Sequence, residues 1–546
     1  MANNTCADAV VRTLIGHGLQ TIYCLPGIQN DPLFNALFDA GDAIRVVHTR
    51  HEQGAAYMAT GAALATGRPS AYAVVPGPGF LNTAGALCTA YAASARVLCF
   101  AGQISRAELG RGFGAVHEIP DQLAIIAQLT KWAQRANAPE EAAAKTALAW
   151  RALASGFARP VGLEIPTDVL ASRGFFAAHR AFPVEAEPVA DENGLEEAAA
   201  WLARAEQPLV VVGAGAQDAS EEIRALAEHL QAPVIAHRMG RGVMDSRHPL
   251  SQDMPAGHRL WRKCDVVLAV GTRLMAQRQG WGTDDRLKII HIDLDPARLA
   301  LGNKVDIPLI GAAKSLVAKL GEQVGRLAPR RASRTDEMLT LKADVARELS
   351  VLEPQLSFLA ALRAALPEDG IYVDEITQLG YVARLAFPVY RPRSYLSPGY
   401  QGTLGWGFAT ALGVKDACPQ RPVLSVNGDG GFMFAQAELA TAVRHKIPLV
   451  SVVFNDGAYG NVRRMQQELH GNRIIASDLT NPDFVALGES FGVASCRVEQ
   501  PEQLRQAVEK AFAANEPTLI EVPCGAMPNP VRFQNLPKVR GAGITA

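Results

Sequence analysis

Short apolar runs separated by helix-like stretches rich in small residues set the pattern of the first third of the chain. Residues 21–25, 44–47, 70–75 and 96–101 read as buried strands, and residues 159–165 complete the set. Turns and helical patterns between them give the rhythm of a parallel α/β sheet. Around 171–194 the pattern dissolves into prolines and charges without periodicity, which predicts a linker.

A second α/β unit opens at Pro208-Leu-Val-Val-Val-Gly-Ala-Gly-Ala216 and continues through 233–236, 265–271 and 288–293. The basic, polar stretch 326–342 predicts a second linker. The last third repeats the style of the first, with strands expected at 370–374, 423–427, 449–455 and 518–522. No short repeat recurs, so a solenoid is excluded. The expected fold is α/β, with three Rossmann-like parallel-sheet domains at 1–170, 190–325 and 345–530. The outer two are expected to share a topology.

Length agrees with this division, because 546 residues exceed what one hydrophobic core organises. With 53 basic against 54 acidic side chains, no cationic excess exists to neutralise nucleic acid or an anionic membrane surface. No apolar stretch is long enough to span a bilayer, and residues 1–8 lack the basic-then-apolar order of a signal peptide. The eight cysteines form no C-x-x-C pair and read as buried thiols in a reducing compartment. A cytoplasmic protein is expected.

The strongest chemical signal lies in two successive strands of the last third. One ends in Gly428-Asp429-Gly430-Gly431 and leads into a helix expected over 432–444; the next ends in Asn455-Asp456-Gly457. Ligands of parallel sheets bind beyond the carboxyl ends of strands, so both turns aim oxygen ligands at one spot. The glycines let backbone approach a diphosphate, whose charge suits a helix N-terminus. Mg²⁺ takes hard oxygen ligands and shares them with phosphates, so Asp429, the Asn455 amide oxygen and the Gly457 carbonyl are the candidate metal ligands. Gly-Asp-Gly alone would be a tight turn with a helix cap; the paired Asn-Asp-Gly decides for metal and diphosphate.

Residues 428–457 resemble the thiamine-diphosphate signature, in which Gly-Asp-Gly is followed by Asn about two dozen residues later. The family usually has two asparagines there. Here Phe454 takes the first place, while Asn455 keeps the metal-binding second place. The resemblance extends over almost the whole chain to the group of acetolactate synthase, benzoylformate decarboxylase and pyruvate decarboxylase. It implies pyrimidine, central and diphosphate domains in that order, with thiamine diphosphate and Mg²⁺ as cofactors. Glu52, in Thr49-Arg-His-Glu-Gln-Gly, matches the glutamate that hydrogen-bonds the aminopyrimidine ring and drives deprotonation of the thiazolium C2. A carboxyl in an apolar pocket suits that proton shuttle. Taken alone, a Glu opening a helix is more often a dipole partner, and neighbouring His51 reads as structural.

By the same match, the Gly402 carbonyl and the Leu404 backbone would bind the pyrimidine, and the bulk of Leu404 would bend the cofactor. Glu375-Ile-Thr377 sits where related enzymes contact diphosphate, which makes Thr377 a candidate together with Gly428, Gly430 and Gly431. The pyrimidine domain of one subunit meets the diphosphate domain of another in this family. A homodimer or homotetramer is therefore expected, with Glu52 and Asp429 of each site coming from different chains.

Substrate choice rests on the loops over C2. Pyruvate decarboxylases carry an acidic residue after Pro26-Gly27 and a His-His pair; here the position is Ile28 and no His-His occurs. Val116-His117-Glu118 takes the place of Phe-Gln-Glu in acetolactate synthases and pyruvate oxidases. His117 thus replaces an active-site Gln and is a candidate to protonate an intermediate or hold a substrate carbonyl; an ordinary surface or core histidine is the competing reading. Gln29 is a candidate for the same pocket. Gly213-Ala-Gly215 lacks the third glycine of a dinucleotide fingerprint. Thr272-Arg-Leu-Met-Ala-Gln277 departs from the flavin-site run of acetolactate synthases while keeping Arg273, which makes FAD doubtful.

The expected reaction is decarboxylation of a small-molecule 2-oxo acid followed by carboligation. Simple decarboxylation, hydrolysis of a 1,2-dione and flavin-linked oxidation are the alternatives. A catalytically silent subunit on this fold is opposed by the joint presence of Glu52, Asp429 and Asn455.

Overall fold

Valine-, isoleucine- and leucine-rich strands that bury both faces can pair in parallel only when helices cover each side. The computed structural model describes residues 4–186, 188, 191–300 and 304–541. It contains three six-stranded sheets in which every pairing is parallel. The first runs in the order Arg45–His48, Thr21–Cys24, Ser70–Val74, Val97–Gln103, Val161–Pro166, Ala133–Arg135. The third runs Tyr395–Leu396, Ile371–Asp374, Val423–Gly428, Val450–Asn455, Thr518–Pro523, Ala494–Arg497. Numbered along the chain, both have the order 2-1-3-4-6-5, so the outer sheets share a topology. The middle sheet has the order 3-2-1-4-5-6, from Ser251–Gln252 at one edge to Ile307–Ile310 at the other.

All the strands expected from the sequence are present. Those of the three large sheets that it does not announce, Ala133–Arg135, Ser251–Gln252, Ile307–Ile310, Tyr395–Leu396 and Ala494–Arg497, are short, and all five are edge strands. A half-covered edge needs no long apolar run, and short edges limit unwanted pairing.

Two expectations are corrected. The stretch 326–342 is not an extended linker: Ala313–Leu327 and Thr335–Leu349 are helices, and only 328–334 is irregular. Its polar composition reflects exposed helix faces, while Met338, Val345 and Leu349 face inward. The helix expected over 432–444 is broken into Asp429–Phe432, Gln436–Glu438 and Leu439–Arg444. In the first linker, residues 187, 189 and 190 lie outside the described residues; Arg173–Gly174 pairs antiparallel with Asn4–Thr5.

The outer domains meet through two helices of small residues, Glu52–Thr66 and Trp406–Ala417. A Cβ at Gly61 would lie 2.1 Å from the Thr410 carbonyl oxygen, and one at Gly413 would lie 2.0 Å from that of Met58. The two backbones therefore touch directly, which explains why both helices lack an amphipathic stripe. No helix among the described residues is long and apolar enough to cross a membrane.

Candidate active site

The third sheet reverses its winding between Ile371–Asp374 and Val423–Gly428, which opens a crevice at the carboxyl ends of these strands. Gly428 pairs with Phe454, so Asp429 and Asn455 leave neighbouring strands at the same level. The Asn481 amide donates to Asp429 Oδ2 at 2.6 Å and to Asn455 Oδ1 at 2.9 Å. Both candidate ligand oxygens thus converge on one point. Asn455 is oriented by its own Nδ2, which donates to Glu521 Oε1 at 2.8 Å. Gly457, at φ +66°, donates its N–H to Asn455 Oδ1 at 3.3 Å, and its carbonyl accepts from Leu479 N–H at 2.7 Å.

These donors suit Mg²⁺, which takes hard oxygens and few protein ligands. No group of three His, Cys, Asp or Glu side chains placed to hold a metal ion is found among the described residues, so a metal here would use amide and backbone oxygens as well. Burial and the nearby Asp429 charge push Asp456 up to about 6, a repulsion that a divalent cation would relieve.

Beside this point lies a cavity of about 370 Å³ lined by Thr377, Gly402, Leu404, Gly428, Asp429, Gly430 and Gly431. Its volume and its mixture of glycine backbone with Leu404, Val462 and Met527 suit a cofactor with a charged end and an aromatic end. Thr377 caps the helix Gln378–Ala386 through Gly380 N–H at 2.8 Å. Gly457 lies at a smaller adjoining cavity with Asp456.

Glu375, which the sequence places only near the diphosphate, ties together the loops that carry Gly402–Gly405 and Gly428–Gly431. Its Oε1 accepts from Gly405 N–H at 2.9 Å and Gly407 N–H at 3.4 Å, and its Oε2 accepts from Gly428 N–H at 3.4 Å. Burial pushes its carboxyl up to about 7, against the pull of the Gly407, Gly405 and Gly428 amides. A carboxyl whose folded pKa is raised from 4.5 costs stability as pH climbs from about 4.5 to about 7, because the unfolded chain ionises first. Relative to wild type, the cofactor-free Glu375→Gln protein should therefore gain thermal stability between pH 5 and pH 8, measured by calorimetry at both.

Gln29, Glu52 and His117 form a second group at the carboxyl ends of the first sheet, and none of them lines the 370 Å³ cavity. Glu52 opens its helix half-buried and accepts from Asn82 Nδ2 at 3.0 Å. Gln29 is buried; its Nε2 donates to the Val116 carbonyl at 2.8 Å, and its Oε1 meets His117 Nδ1 at 2.8 Å. An amide oxygen only accepts, so His117 carries its proton on Nδ1 and leaves Nε2 free for chemistry. The turn at 77–79 separates this pair from Glu52: Gly77 abuts the His117 carbonyl, and a Cβ at Gly79 would lie 3.5 Å from Glu52 Oε1.

His117 sits at φ +70°, a left-handed conformation costing roughly 1–2 kcal/mol for a non-glycine residue. Such strain persists where the surroundings over-determine it, as at functional sites. Here the Glu118 carboxylate gathers the N–H groups of Gly112, Gly114 and Ala115 at 2.8–3.1 Å. Phe113 and Val116 on the same loop are 69% and 66% exposed, apolar area that a second surface can cover.

Asn481 and Asn82 are not visible in the sequence, and the bonds of Glu375 to Gly405, Gly407 and Gly428 are not either. Asn481, in Leu-Thr-Asn-Pro-Asp, reads only as the approach to a helix, and folding alone brings it to Asp429. In the central domain, a Cβ at Gly213 would lie 2.3 Å from the Gly271 carbonyl oxygen, so this glycine serves backbone packing. Arg273 stacks on Tyr400 at 4.0 Å and donates to the Ala92 carbonyl at 3.1 Å.

Three family profiles match the chain in order: the N-terminal TPP binding domain of thiamine pyrophosphate enzymes over residues 4–125, their central domain over 195–320, and their C-terminal TPP binding domain over 375–522. The chain belongs to the thiamine pyrophosphate-dependent enzymes. It is 34% identical to the probable 2-ketoarginine decarboxylase of Pseudomonas aeruginosa, over 95% of this chain and 94% of that one. It is 31% identical to a probable acetolactate synthase large subunit of Methanocaldococcus jannaschii, over 96% and 93% of the two chains. Similarity to the sulfoacetaldehyde acetyltransferase of Castellaniella defragrans is 30% over 95% and 93%.

Proposed function

We propose that the protein decarboxylates a small-molecule 2-oxo acid and transfers the remaining acyl unit to the carbon of a second carbonyl, as a thiamine-diphosphate- and Mg²⁺-dependent carboligase. The observation carrying this reading is the convergence of Asp429 and Asn455 beside a cavity walled by Gly402, Leu404 and Gly428–Gly431. Asp429, Asn455 and the Gly457 carbonyl would hold Mg²⁺, which would supply the positive charge for the diphosphate. The Gly430 and Gly431 backbone and Thr377 border the phosphates, while Gly402 and Leu404 orient the pyrimidine. Bound there, thiamine diphosphate supplies a nucleophilic carbon and an electron sink for the cleaved bond.

Glu52 moves the proton at the pyrimidine nitrogen. His117, with Nδ1 held by Gln29, presents Nε2 to take a proton from a substrate hydroxyl or, as imidazolium, to give one to the product oxygen. Since these three residues stand apart from their own chain's cavity, they serve the cavity of a second copy, and the working unit is a homo-oligomer. No step is assigned to flavin, because Gly213 and Arg273 are committed to packing.

Purified protein given pyruvate, thiamine diphosphate and Mg²⁺ should release CO₂ and form an acetohydroxy acid, read by mass spectrometry. Aldehyde as the sole product would reject the carboligase reading. His117→Ala should lower kcat about 100-fold, the lower end for a lost general acid or base, with C2 deprotonation at the wild-type rate. A fall in C2 exchange would move His117 out of this role.

A further inference from the structure

A carboxylate of the diphosphate domain grips the backbone that leads into the Glu52 helix. Glu438 is only 1% exposed, yet among the described residues no arginine or lysine side chain is paired with it. Its Oε1 accepts from His51 N–H at 3.0 Å, its Oε2 accepts from Arg50 N–H at 3.1 Å, and the Thr441 hydroxyl donates to Oε2. Burial raises the affinity of Glu438 for a proton, opposed by Thr441, by the two amides and by the His51 charge.

The helix start is otherwise self-sufficient. His51 caps it through Nδ1, which accepts from Gln53 N–H at 3.1 Å, and Gly54 N–H bonds the His51 carbonyl at 3.0 Å. The two preceding amides are the ones Glu438 takes. A Cβ at Gly54 would lie 2.3 Å from Glu438 Oε1, so the first turn is cut away to admit the carboxyl. Burying a carboxylate is expensive, and an apolar side chain would fill such a space at lower cost. The carboxylate also complements the positive end of the helix dipole.

Glu438 lies on the segment that begins with Gly428–Gly431 at the cavity wall. One short stretch therefore borders the diphosphate cavity at its start and holds the Glu52 turn at its end. We infer that Glu438 is a positioning residue for Glu52: by clamping the Arg50 and His51 amides, it fixes the direction in which the Glu52 carboxyl points. This rests on the reading of Glu52 as the proton partner of the pyrimidine ring.

The test uses Glu438→Gln, Gly54→Ala and Glu52→Gln in the full-length enzyme. A glutamine at 438 offers one acceptor oxygen for two amides, whereas the Gly54 methyl wedges the clamp open with its charge intact. Each should slow H/D exchange at C2 of bound thiamine diphosphate by about 10-fold or more, the usual scale for a supporting contact. Cofactor affinity, read by circular dichroism titration, should stay near wild type. In the enzyme without cofactor, amide exchange of the 48–56 segment should accelerate in both, and Glu438→Asp should restore part of the C2 rate.

Wild-type C2 exchange in folded, cofactor-saturated Glu438→Gln, with slow exchange in Glu52→Gln, would overturn the positioning role alone. Wild-type exchange in Glu52→Gln would overturn the reading of Glu52, and the clamp with it. Should Glu438→Gln fail to fold, Gly54→Ala decides by the same readouts.

Discussion

Glu52→Gln should slow deprotonation of C2 in the bound cofactor by about 100-fold or more while thiamine diphosphate still binds. Proton transfer by a positioned side chain contributes about 10²–10⁴-fold, and glutamine keeps the shape and a hydrogen bond but cannot carry the proton. Glu52 lies outside the 370 Å³ cavity of its own chain, so its loss removes no wall of that chain's diphosphate site. H/D exchange at C2, followed by NMR after acid quench, measures the step directly. Unchanged exchange would place the proton acceptor elsewhere. The oligomer makes a further check available. An inactive Glu52→Gln chain mixed with an inactive Asp429→Ala chain should recover activity in hybrid dimers, because one of the two composite sites then has both residues.

Asp429→Ala should abolish Mg²⁺-dependent binding of thiamine diphosphate. Asp429 is buried, begins the turn after Gly428 and shares Asn481 with Asn455. It is the one carboxylate among the three proposed protein ligands, so alanine removes the only formal negative charge offered to the metal by that set. Even loss of a contact that merely orients a ligand costs 10–100-fold in metal affinity; loss of the ligand itself should exceed about 100-fold. Titration with Mg²⁺ at fixed thiamine diphosphate, followed by tryptophan fluorescence or circular dichroism, tests this. Chelation of wild-type enzyme with EDTA should reproduce the variant, and added Mg²⁺ should rescue only the wild type. Retained cofactor-dependent turnover in Asp429→Ala would remove Asp429 from the metal site.

The two effects differ in what they spare. Glu52→Gln leaves binding and removes a proton transfer, whereas Asp429→Ala removes binding itself. That division follows from the separation of the two groups in a single chain. Gln29, Glu52 and His117 gather at the carboxyl ends of the first sheet, while Asp429, Asn455, Gly402 and Leu404 gather at the third.

Much of this was legible before folding, for a definite reason. Buried parallel strands such as Val450–Asn455 are apolar over most of their length, and glycine and asparagine at the carboxyl ends of such strands have few other uses than tight turns and ligand contacts. The proposal for residues 428–431 and 455–457 therefore rests on local sequence. Long, fully buried strands announced themselves, while the short edge strands Tyr395–Leu396 and Ala494–Arg497 did not, since an edge carries a weaker apolar demand.

The segment after Gly431 shows the limit. Its composition resembles one helix over 432–444, yet the chain breaks twice there, and Glu438 at the second break turns inward to the Arg50 and His51 amides. No local signal marks that contact, because its partners lie almost four hundred residues away. Asn481 escapes notice for the same reason, and so does the joining role of Glu375: each is defined by the loops it links rather than by its neighbours in sequence.

Sequence alone thus determined the class of sheet and the strand ends that carry glycine, aspartate and asparagine, and it singled out Glu52, Asp429 and Asn455 as the residues proposed for the site. These follow from periodicity and from side-chain chemistry at fixed spacing. Tertiary structure alone decided that Asp429 and Asn455 face the same point, that Gln29 sets the tautomer of His117, and that Glu438 holds the turn of Glu52. Such pairings depend on strand register and on the direct backbone contact of the two small-residue helices, and both emerge only when distant segments pack.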